Sequence, residues 1–206
     1  CLHGAPCWAW DDHLYALPDQ LAAWGNLYDH YPRTGWPKVF VGEYGAQENT
    51  LRGAVAEALF LLGLERNGDV AVASAFAPLL SNVKANQTLH NLISFNATAA
   101  FALPSLHVLS ALQAGLGDAQ LAVNVSSGTV GVFAATAQLR DSSDNDGSDR
   151  GTIKLVNYGP SPRQLELHLP GLPTAANASV LTGPEPTATN TLDCPDAITP
   201  RALAVH

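Results

Sequence analysis

The chain contains no methionine, few charged residues and no cluster of basic residues. Only 14% of its 206 residues are charged, against about 25% in an average globular protein, and its net charge is −8. Binding to nucleic acid requires a basic face that displaces phosphate counterions, and anionic membrane surfaces attract basic segments. We therefore expect neither a nucleic acid nor a membrane as a partner.

Long apolar runs and several common catalytic motifs are also absent. The longest apolar run, from Ala54 to Leu64, is interrupted by Glu57 and Gly63, and it is shorter than the roughly 20 residues that cross a bilayer. No zinc motif of the His-Glu-x-x-His type, no glycine-rich phosphate loop and no Gly-x-Ser-x-Gly elbow occurs. The acidic stretch 141–149 does not fit a calcium loop, because Ile153 falls where the bidentate glutamate belongs. We expect no metal and no cofactor.

The cysteines give little information about chemistry. Cys1, Cys7 and Cys194 have no Cys-x-x-Cys spacing, which argues against a zinc site and against thioredoxin-like chemistry. We interpret Cys7 as a thiol in the apolar core, with a disulfide as the second choice. A chain that begins Cys-Leu-His without methionine is expected to be processed or incomplete, so the missing leader carries no information about compartment.

One weak signal concerns the compartment. Four asparagines lie in glycosylation sequons, a modest excess over chance; they are Asn86, Asn96, Asn124 and Asn177. They favour an extracellular or vacuolar protein, while accidental matches in a chain rich in Ser and Thr are the alternative.

The pattern of the chain changes near residue 117. Before this point, strand-like runs at 39–41 and 70–75 alternate with three helical patterns. The predicted helices start at Pro18, at an N-cap near Asn49, and at Pro104. They end before Pro32, at 67–68 and at Ala114. This order is typical of β/α units around a parallel sheet.

After residue 117 the sequence favours strands and turns. Apolar and polar residues alternate at 152–155 and again from Leu165 to Leu169, which predicts strands buried on one face. Turn signals separate these runs, as in an antiparallel sandwich. We therefore predict an α/β part at 1–116 and an all-β part at 117–206.

Glu43 is the first candidate for chemistry, because it stands where the apolar run 39–41 ends. In a (β/α)8 barrel, the loops that follow the strands build the active site. The alternative is a carboxylate near the start of a helix, where the helix dipole favours negative charge.

A second candidate cluster is 11–15, Asp-Asp-His-Leu-Tyr, which follows an apolar run. In an extended chain His13 and Tyr15 point to the same side. Together they can orient a neighbouring carboxylate and a sugar hydroxyl. Solvated acids at the start of a helix would explain the same residues.

Several segments together resemble one family, the α-L-arabinofuranosidases of glycoside hydrolase family 51. They occur in a familiar order and spacing: Trp10-Asp-Asp-His-Leu-Tyr15, Lys38-Val-Phe-Val-Gly-Glu-Tyr44, Glu57-Ala-Leu-Phe60, Gly63-Leu-Glu-Arg-Asn67 and Ala77-Pro-Leu-Leu-Ser-Asn82. The second part is similar to the C-terminal β-sandwich of that family, notably at Gly151-Thr-Ile-Lys-Leu-Val-Asn157 and Leu181-Thr-Gly183.

The resemblance implies a fold and a reaction. The fold would be the last strands and helices of a (β/α)8 TIM barrel (1–116) followed by an incomplete antiparallel β-sandwich (117–206). The enzyme would be a retaining glycosidase that releases terminal α-L-arabinofuranosyl residues from arabinose-containing polysaccharides. Glu43 matches the nucleophile, and His13 with Tyr15 matches the polar pair around the sugar.

The family's general acid/base is not found in this chain. In the family it belongs to an Asn-Glu pair on an earlier strand, and no Asn-Glu pair occurs here. The chain also lacks the tryptophan that the family usually has in the loop that corresponds to 86–93. We therefore expect a chain that begins within the barrel and is inactive and poorly soluble alone. A non-catalytic carbohydrate-binding remnant of the same fold is the alternative hypothesis.

Overall fold

The computed structural model describes residues 7–85, 87–126, 133–140, 150–168 and 176–204. The three α-helices are α1 (Pro18–Ala23), α2 (Leu51–Arg66) and α3 (Pro104–Ala114). The strands are β1 (Ala9–Ala16), β2 (Lys38–Ala46), β3 (Ala71–Phe76), β4 (Leu80–Asn82), β5 (Ile93–Phe95), β6 (Ala100–Ala102), β7 (Ala119–Leu121), β8 (Phe133–Arg140), β9 (Arg150–Asn157), β10 (Ala178–Val180) and β11 (Arg201–Leu203).

Strands β1, β2 and β3 form a parallel sheet in that order, and α2 connects β2 to β3. Val39, Val41 and Tyr44 of β2 are buried in one core with Leu21 of α1 and Phe60 of α2. Because neighbouring residues of a strand face opposite sides, Phe40 lies on the other side of the sheet, where it is partly exposed. The described residues contain one covered face of this sheet and no closed barrel.

The predicted elements of the first part are largely confirmed. The runs 39–41 and 70–75 correspond to β2 and β3, and α3 has the predicted bounds. The N-cap of α2 is Thr50 rather than Asn49, since the Thr50 hydroxyl accepts a hydrogen bond from the Gly53 N–H at 3.3 Å.

The first helix is shorter than predicted. It ends at Ala23 and continues only as a 3-10 turn, Trp24–Asn26. At this point the chain approaches α2 so closely that a Cβ at Gly63 would lie 2.0 Å from the carbonyl oxygen of Gly25. The tertiary contact with α2 therefore outweighs the apolar stripe that predicted a longer helix.

The second part contains an antiparallel sheet of β7, β8 and β9. The strand predicted at 152–155 is confirmed, but its orientation is reversed. Lys154 is buried against α2, whereas Leu155 is 42% exposed. The reason is that a glutamate of α2, Glu65, pairs with the Lys154 ammonium and turns this face toward the helix.

The strand predicted from Leu165 to Leu169 is wrong for the residues that the structure describes. Residues 165–168 have no regular structure, and Leu165 and Leu167 are about half exposed. Alternation alone cannot form a strand, because each strand needs a neighbour to complete its hydrogen bonds. Leu169 and the acidic stretch 141–149 lie outside the described residues.

Two smaller expectations concern cysteine and the membrane. Cys7 forms a disulfide, so its interpretation as a core thiol is wrong and the second choice is confirmed. Cys194 is a free and exposed thiol. Within the described ranges, the helices are all too short or too polar to cross a bilayer.

Candidate active site

Neighbouring parallel strands bring the three predicted site residues together. His13 of β1 is the register partner of Glu43 of β2, next to an irregularity that follows Asp12. Tyr15 lies two residues beyond His13 and therefore faces the same side. Asp12 faces the opposite side, where its carboxylate accepts a hydrogen bond from the Tyr28 hydroxyl at 2.8 Å.

The contacts converge on one oxygen of Glu43. The Tyr15 hydroxyl donates to Glu43 Oε2 at 2.6 Å, and His13 Nδ1 lies 3.4 Å from the same oxygen. The Glu43 side chain is 42% exposed. Glu43 lies inside β2, and α2 begins only at Leu51, so the carboxylate is not at the start of that helix.

Tyr15 acts as a hydrogen-bond donor toward Glu43. Burial, together with the hydrogen bond to Glu43 and the charge of that carboxylate, raises the pKa of Tyr15 to about 12. The phenol therefore keeps its proton throughout the neutral range and can donate it to the carboxylate in a hydrogen bond.

His90 is a neighbour of this cluster that the sequence did not single out. Its ring centroid lies 5.2 Å from that of Tyr15, and its Nε2 is 3.0 Å from the Ala77 carbonyl oxygen. The ring also covers Gly45, where a Cβ would lie 2.5 Å from a His90 ring carbon. Burial lowers the pKa of His90, and its Nδ1 has no hydrogen-bond partner among the residues that the structure describes. The His90 side chain is thus buried and neutral, and its ring lies beside that of Tyr15.

A pair of asparagines holds the His90 loop against the end of β2. The Asn49 side-chain amide donates to Asn91 Oδ1 at 3.0 Å, and the Asn91 backbone N–H donates to Asn49 Oδ1 at 2.9 Å. The Asn91 amide also donates to the Ser94 hydroxyl. These contacts tie 90–94 to the segment that follows Glu43.

A buried glutamate of α2 holds the end of β2. The Ala46 backbone N–H donates to Glu57 Oε1 at 3.0 Å, and the same carboxyl bonds with Ser105 at the start of α3. Burial raises the pKa of Glu57 to about 8, although both hydrogen bonds oppose this shift. The sequence contained a signal for this residue, because Glu57 interrupts the longest apolar run.

Asp11 supplies a second carboxylate on the same side of β1. Its Oδ2 lies 3.3 Å from His13 Nε2, so that the imidazole stands between Asp11 and Glu43. The cluster 11–15 was a sequence candidate, and the two-residue spacing that places His13 with Tyr15 also places Asp11 on this side of the strand.

The arrangement can perform nucleophilic or proton-transfer chemistry. A carboxylate with one oxygen bound by a phenol and approached by an imidazole keeps its other oxygen available for a substrate. In the part of the chain that the structure describes, no group of His, Cys, Asp and Glu could hold a metal ion.

The four sequon asparagines have different environments. Asn124 and Asn177 are exposed, and Asn86 lies outside the described residues. Asn96 is half-buried, and its side-chain oxygen accepts hydrogen bonds from the backbone N–H groups of Thr98 and Ala99, both at 2.9 Å.

Comparison with known proteins identifies similar sequences over most of the chain. The family model described as Alpha-L-arabinofuranosidase C-terminal domain matches residues 24–206. A probable α-L-arabinofuranosidase A of Aspergillus terreus is 33% identical over 198 residues, 93% of this chain and 30% of that protein. α-L-Arabinofuranosidase 2 of Arabidopsis thaliana is 30% identical over 93% of this chain and 29% of its own length. The chain thus spans about 30% of the length of these relatives.

Solved structures give the same result for the fold. The arabinose-bound α-L-arabinofuranosidase MgGH51 superposes with a TM-score of 0.85 and 28% identity, over 98% of this chain and 34% of that one. The α-L-arabinofuranosidase of Thermotoga maritima, solved as an arabinose complex, gives a TM-score of 0.70 at 14% identity, over 94% of this chain and 48% of that one. The second likeness concerns the fold alone.

Proposed function

Because the chain belongs to the α-L-arabinofuranosidases of glycoside hydrolase family 51, whose C-terminal region it matches, we propose that it carries the nucleophile of a retaining glycosidase. Its substrates are terminal α-L-arabinofuranosyl residues of arabinose-containing polysaccharides or oligosaccharides. The observation that carries this proposal is the convergence of Tyr15 and His13 on one carboxylate oxygen of Glu43.

Glu43 attacks the anomeric carbon of the sugar and forms a glycosyl ester, while the glycosidic bond breaks. The Tyr15 hydrogen bond orients the carboxylate, so that its other oxygen can approach the sugar. His13 and Tyr15 together form the polar wall of the pocket that holds the arabinosyl ring.

The reaction needs a second carboxyl group, about 5–5.5 Å from the nucleophile, that protonates the leaving oxygen. We propose that this acid belongs to an Asn-Glu pair outside the present 206 residues, since no such pair occurs among them. The 206 residues by themselves would then be inactive.

The proposed architecture is the last part of a (β/α)8 barrel at 1–116 and a β-sandwich at 117–206. The parallel order of β1, β2 and β3 supports the barrel part. The exposed apolar side chains of Phe40 and Val72 also support it, because the remaining strands of a barrel would cover them. The antiparallel sheet of β7, β8 and β9 supports the sandwich.

The first test is Glu43→Gln in the natural protein that carries this chain, at its full length. Release of arabinose from an aryl α-L-arabinofuranoside should fall at least about 1,000-fold, because the amide cannot form the glycosyl ester. Glu166→Gln is the matched control, since Glu166 is almost fully exposed and should leave the rate unchanged. Full activity of the Glu43 variant would refute the role.

A second test detects the covalent intermediate. A 2-fluoro arabinofuranoside with a dinitrophenolate leaving group needs no protonation of the leaving oxygen, and the fluorine slows hydrolysis of the ester. Peptide mass spectrometry should then find one fluoroarabinosyl group on the peptide that contains Glu43. Labelling of a different carboxylate would assign the nucleophile elsewhere.

The alternative function is that of a non-catalytic carbohydrate-binding remnant. It is favoured by the missing acid and by the loop 86–93, which has no tryptophan. Calorimetric titration with arabino-oligosaccharides distinguishes the two hypotheses. Binding without any hydrolysis would support the remnant, if the full-length natural protein also contains no Asn-Glu pair that could supply the acid.

We further propose an extracellular or vacuolar location. A relative from Streptomyces chartreusis, 38% identical over 52% of this chain and 13% of its own length, is named an extracellular exo-α-L-arabinofuranosidase. The exposure of Asn124 and Asn177 would allow glycosylation there. Peptide mapping of the natural protein for glycosylated asparagine checks this proposal, and unmodified sequons throughout would count against it.

A further inference from the structure

The imidazole of His13 stands between two carboxylates. Nε2 lies 3.3 Å from Asp11 Oδ2, and Nδ1 lies 3.4 Å from Glu43 Oε2. Each ring nitrogen of His13 thus faces a different carboxylate. Asp11 therefore acts on the His13 nitrogen that does not face Glu43.

We propose that Asp11 is a positioning residue, which holds the His13 imidazole in the orientation that serves Glu43. This inference rests on the proposed function and adds a residue to it. Without Asp11 the ring can rotate about its bond to Cβ, because within the described ranges its one other polar side-chain contact is the 3.4 Å approach to Glu43. The ring would then leave the Glu43 oxygen for part of the time.

Strand β2 leaves space for the Asp11 carboxylate at Gly42. A Cβ at Gly42 would lie 2.0 Å from Asp11 Oδ1, so the carboxylate occupies space that any side chain at position 42 would fill. Gly42 directly precedes Glu43, and the register of β1 and β2 shifts at this position. Glycine at 42 thus allows Asp11 to lie beside the nucleophile's strand while it contacts His13.

The adjacent acid provides an internal comparison. Asp12 has the same side chain but faces the opposite side of β1, where it accepts a hydrogen bond from Tyr28. An amide at position 12 can still accept that hydrogen bond. Asp12→Asn is therefore a matched control, which changes the same charge in the neighbouring residue without touching His13.

The experiment uses the full-length natural protein and an aryl α-L-arabinofuranoside. For Asp11→Asn we expect kcat/KM to fall about 3- to 5-fold, because the amide can still accept a hydrogen bond but lacks the charge, and the pair is about half exposed. The loss should lie mainly in kcat, since orientation of the nucleophile matters in the transition state. Asp12→Asn should stay within about twofold of the wild type.

Gly42→Ala tests the same contact from the other side. The new Cβ displaces the Asp11 carboxylate, which is the end of a flexible side chain, and should reproduce most of the Asp11→Asn loss. The double variant should then be no worse than either single variant, because both remove one interaction. Additive losses would overturn the proposal.

A spectroscopic measurement separates this inference from the proposed function. In protein labelled with ¹⁵N-histidine, the His13 ring signals are assigned by their loss in His13→Gln. Asp11→Asn should shift them at a fixed pH, while Asp12→Asn should not. Unchanged His13 signals overturn the role of Asp11 even if the enzyme is active, whereas shifted signals support it even if arabinose is not released.

The remaining check is whether the loss of activity in Asp11→Asn depends on the leaving group of the substrate. A positioning residue should affect substrates with good and poor leaving groups alike. If Asp11→Asn lowers kcat/KM only on poor leaving groups, and azide raises its kcat on good ones, Asp11 is itself the acid/base and the positioning role is wrong.

Discussion

At the scale of single residues, the shortest contact of the site is the hydrogen bond from the Tyr15 hydroxyl to Glu43 Oε2, at 2.6 Å. Hydrogen bonds to an ionised group are the strong ones, and their geometry fixes the direction of the accepting oxygen. The phenol is a better partner here than a cation would be, because it orients the carboxylate without cancelling its charge. Glu43 can therefore remain a nucleophile.

Removing this hydroxyl should lower activity without changing the fold. For Tyr15→Phe in the full-length natural protein, we expect kcat/KM to fall about 10- to 100-fold, from the loss of about 1.5–3 kcal/mol. Since burial and Glu43 raise the pKa of Tyr15 to about 12, the loss should be the same at every pH from 5 to 9. Steady-state rates on an aryl arabinofuranoside measure both quantities.

The matched control is Tyr28→Phe. Tyr28 also donates to a carboxylate, that of Asp12, but on the opposite side of β1. Its removal should lower the free energy of unfolding and leave kcat/KM within a few-fold of the wild type. Equal losses of activity in the two variants would mean that the Tyr15 effect is merely structural.

The sequence predicted part of this cluster for a physical reason. In a strand, residues two apart face the same side, so His13 and Tyr15 could be placed together from spacing alone. His90 could not be placed, because its contact with Tyr15 depends on a loop that closes over a distant strand. No local pattern in the sequence carries that information.

At the scale of elements, α2 is buried along most of its length. Leu59, Phe60 and Leu62 are almost fully buried, and so is Glu57. A carboxyl group in such a helix must be hydrogen-bonded or neutral. Glu57 is both, since it accepts from Ala46 and its pKa rises to about 8 through burial.

The Glu57 carboxyl should make the stability of the protein depend on pH. In the unfolded chain it loses its proton near 4.5, and in the folded protein near 8. Between these values the folded state binds one more proton, so the stability it provides at low pH is lost as pH rises toward 8. The slope is about 1.4 kcal/mol per pH unit at its steepest.

Glu57→Gln should flatten this part of the stability curve. The glutamine oxygen can still accept from the Ala46 N–H, and it never ionises. Urea unfolding of both proteins at pH 5, 6, 7 and 8 measures the difference, and the variant should gain on the wild type as pH rises. Parallel curves would show that Glu57 does not titrate in this range.

Strand β9 shows what alternation does and does not determine. Its position at 150–157 agrees with the predicted strand at 152–155, because β-branched and apolar residues alternate with polar ones. The predicted orientation of this strand was wrong, because the ion pair with Glu65 allows the Lys154 side chain to be buried. The segment 165–168 shows the same alternation but has no strand, so pairing decides the outcome.

At the scale of the whole molecule, one buried ion pair joins the helices to the antiparallel sheet. Lys154 Nζ of β9 lies 2.5 Å from Glu65 Oε1 of α2, and both side chains are about nine-tenths buried. Thr136 of β8 donates to the other oxygen of Glu65 at 3.1 Å, and Gln138 does so at 3.4 Å. This network crosses the proposed boundary at 116–117, so the two parts share a polar interface.

Breaking this pair should therefore destabilise both parts together. Lys154→Met leaves the Glu65 carboxylate buried without its cation, and we expect a loss of about 3–5 kcal/mol in the free energy of unfolding. Lys154→Met with Glu65→Leu removes both charges and should recover much of that loss, since two apolar side chains can pack against each other. Glu166→Gln, at an exposed site, should change stability by less than about 0.5 kcal/mol. Calorimetric unfolding of the full-length protein measures all three variants. If the double variant is as unstable as Lys154→Met, the unpaired Glu65 carboxylate is not what destabilises the single variant.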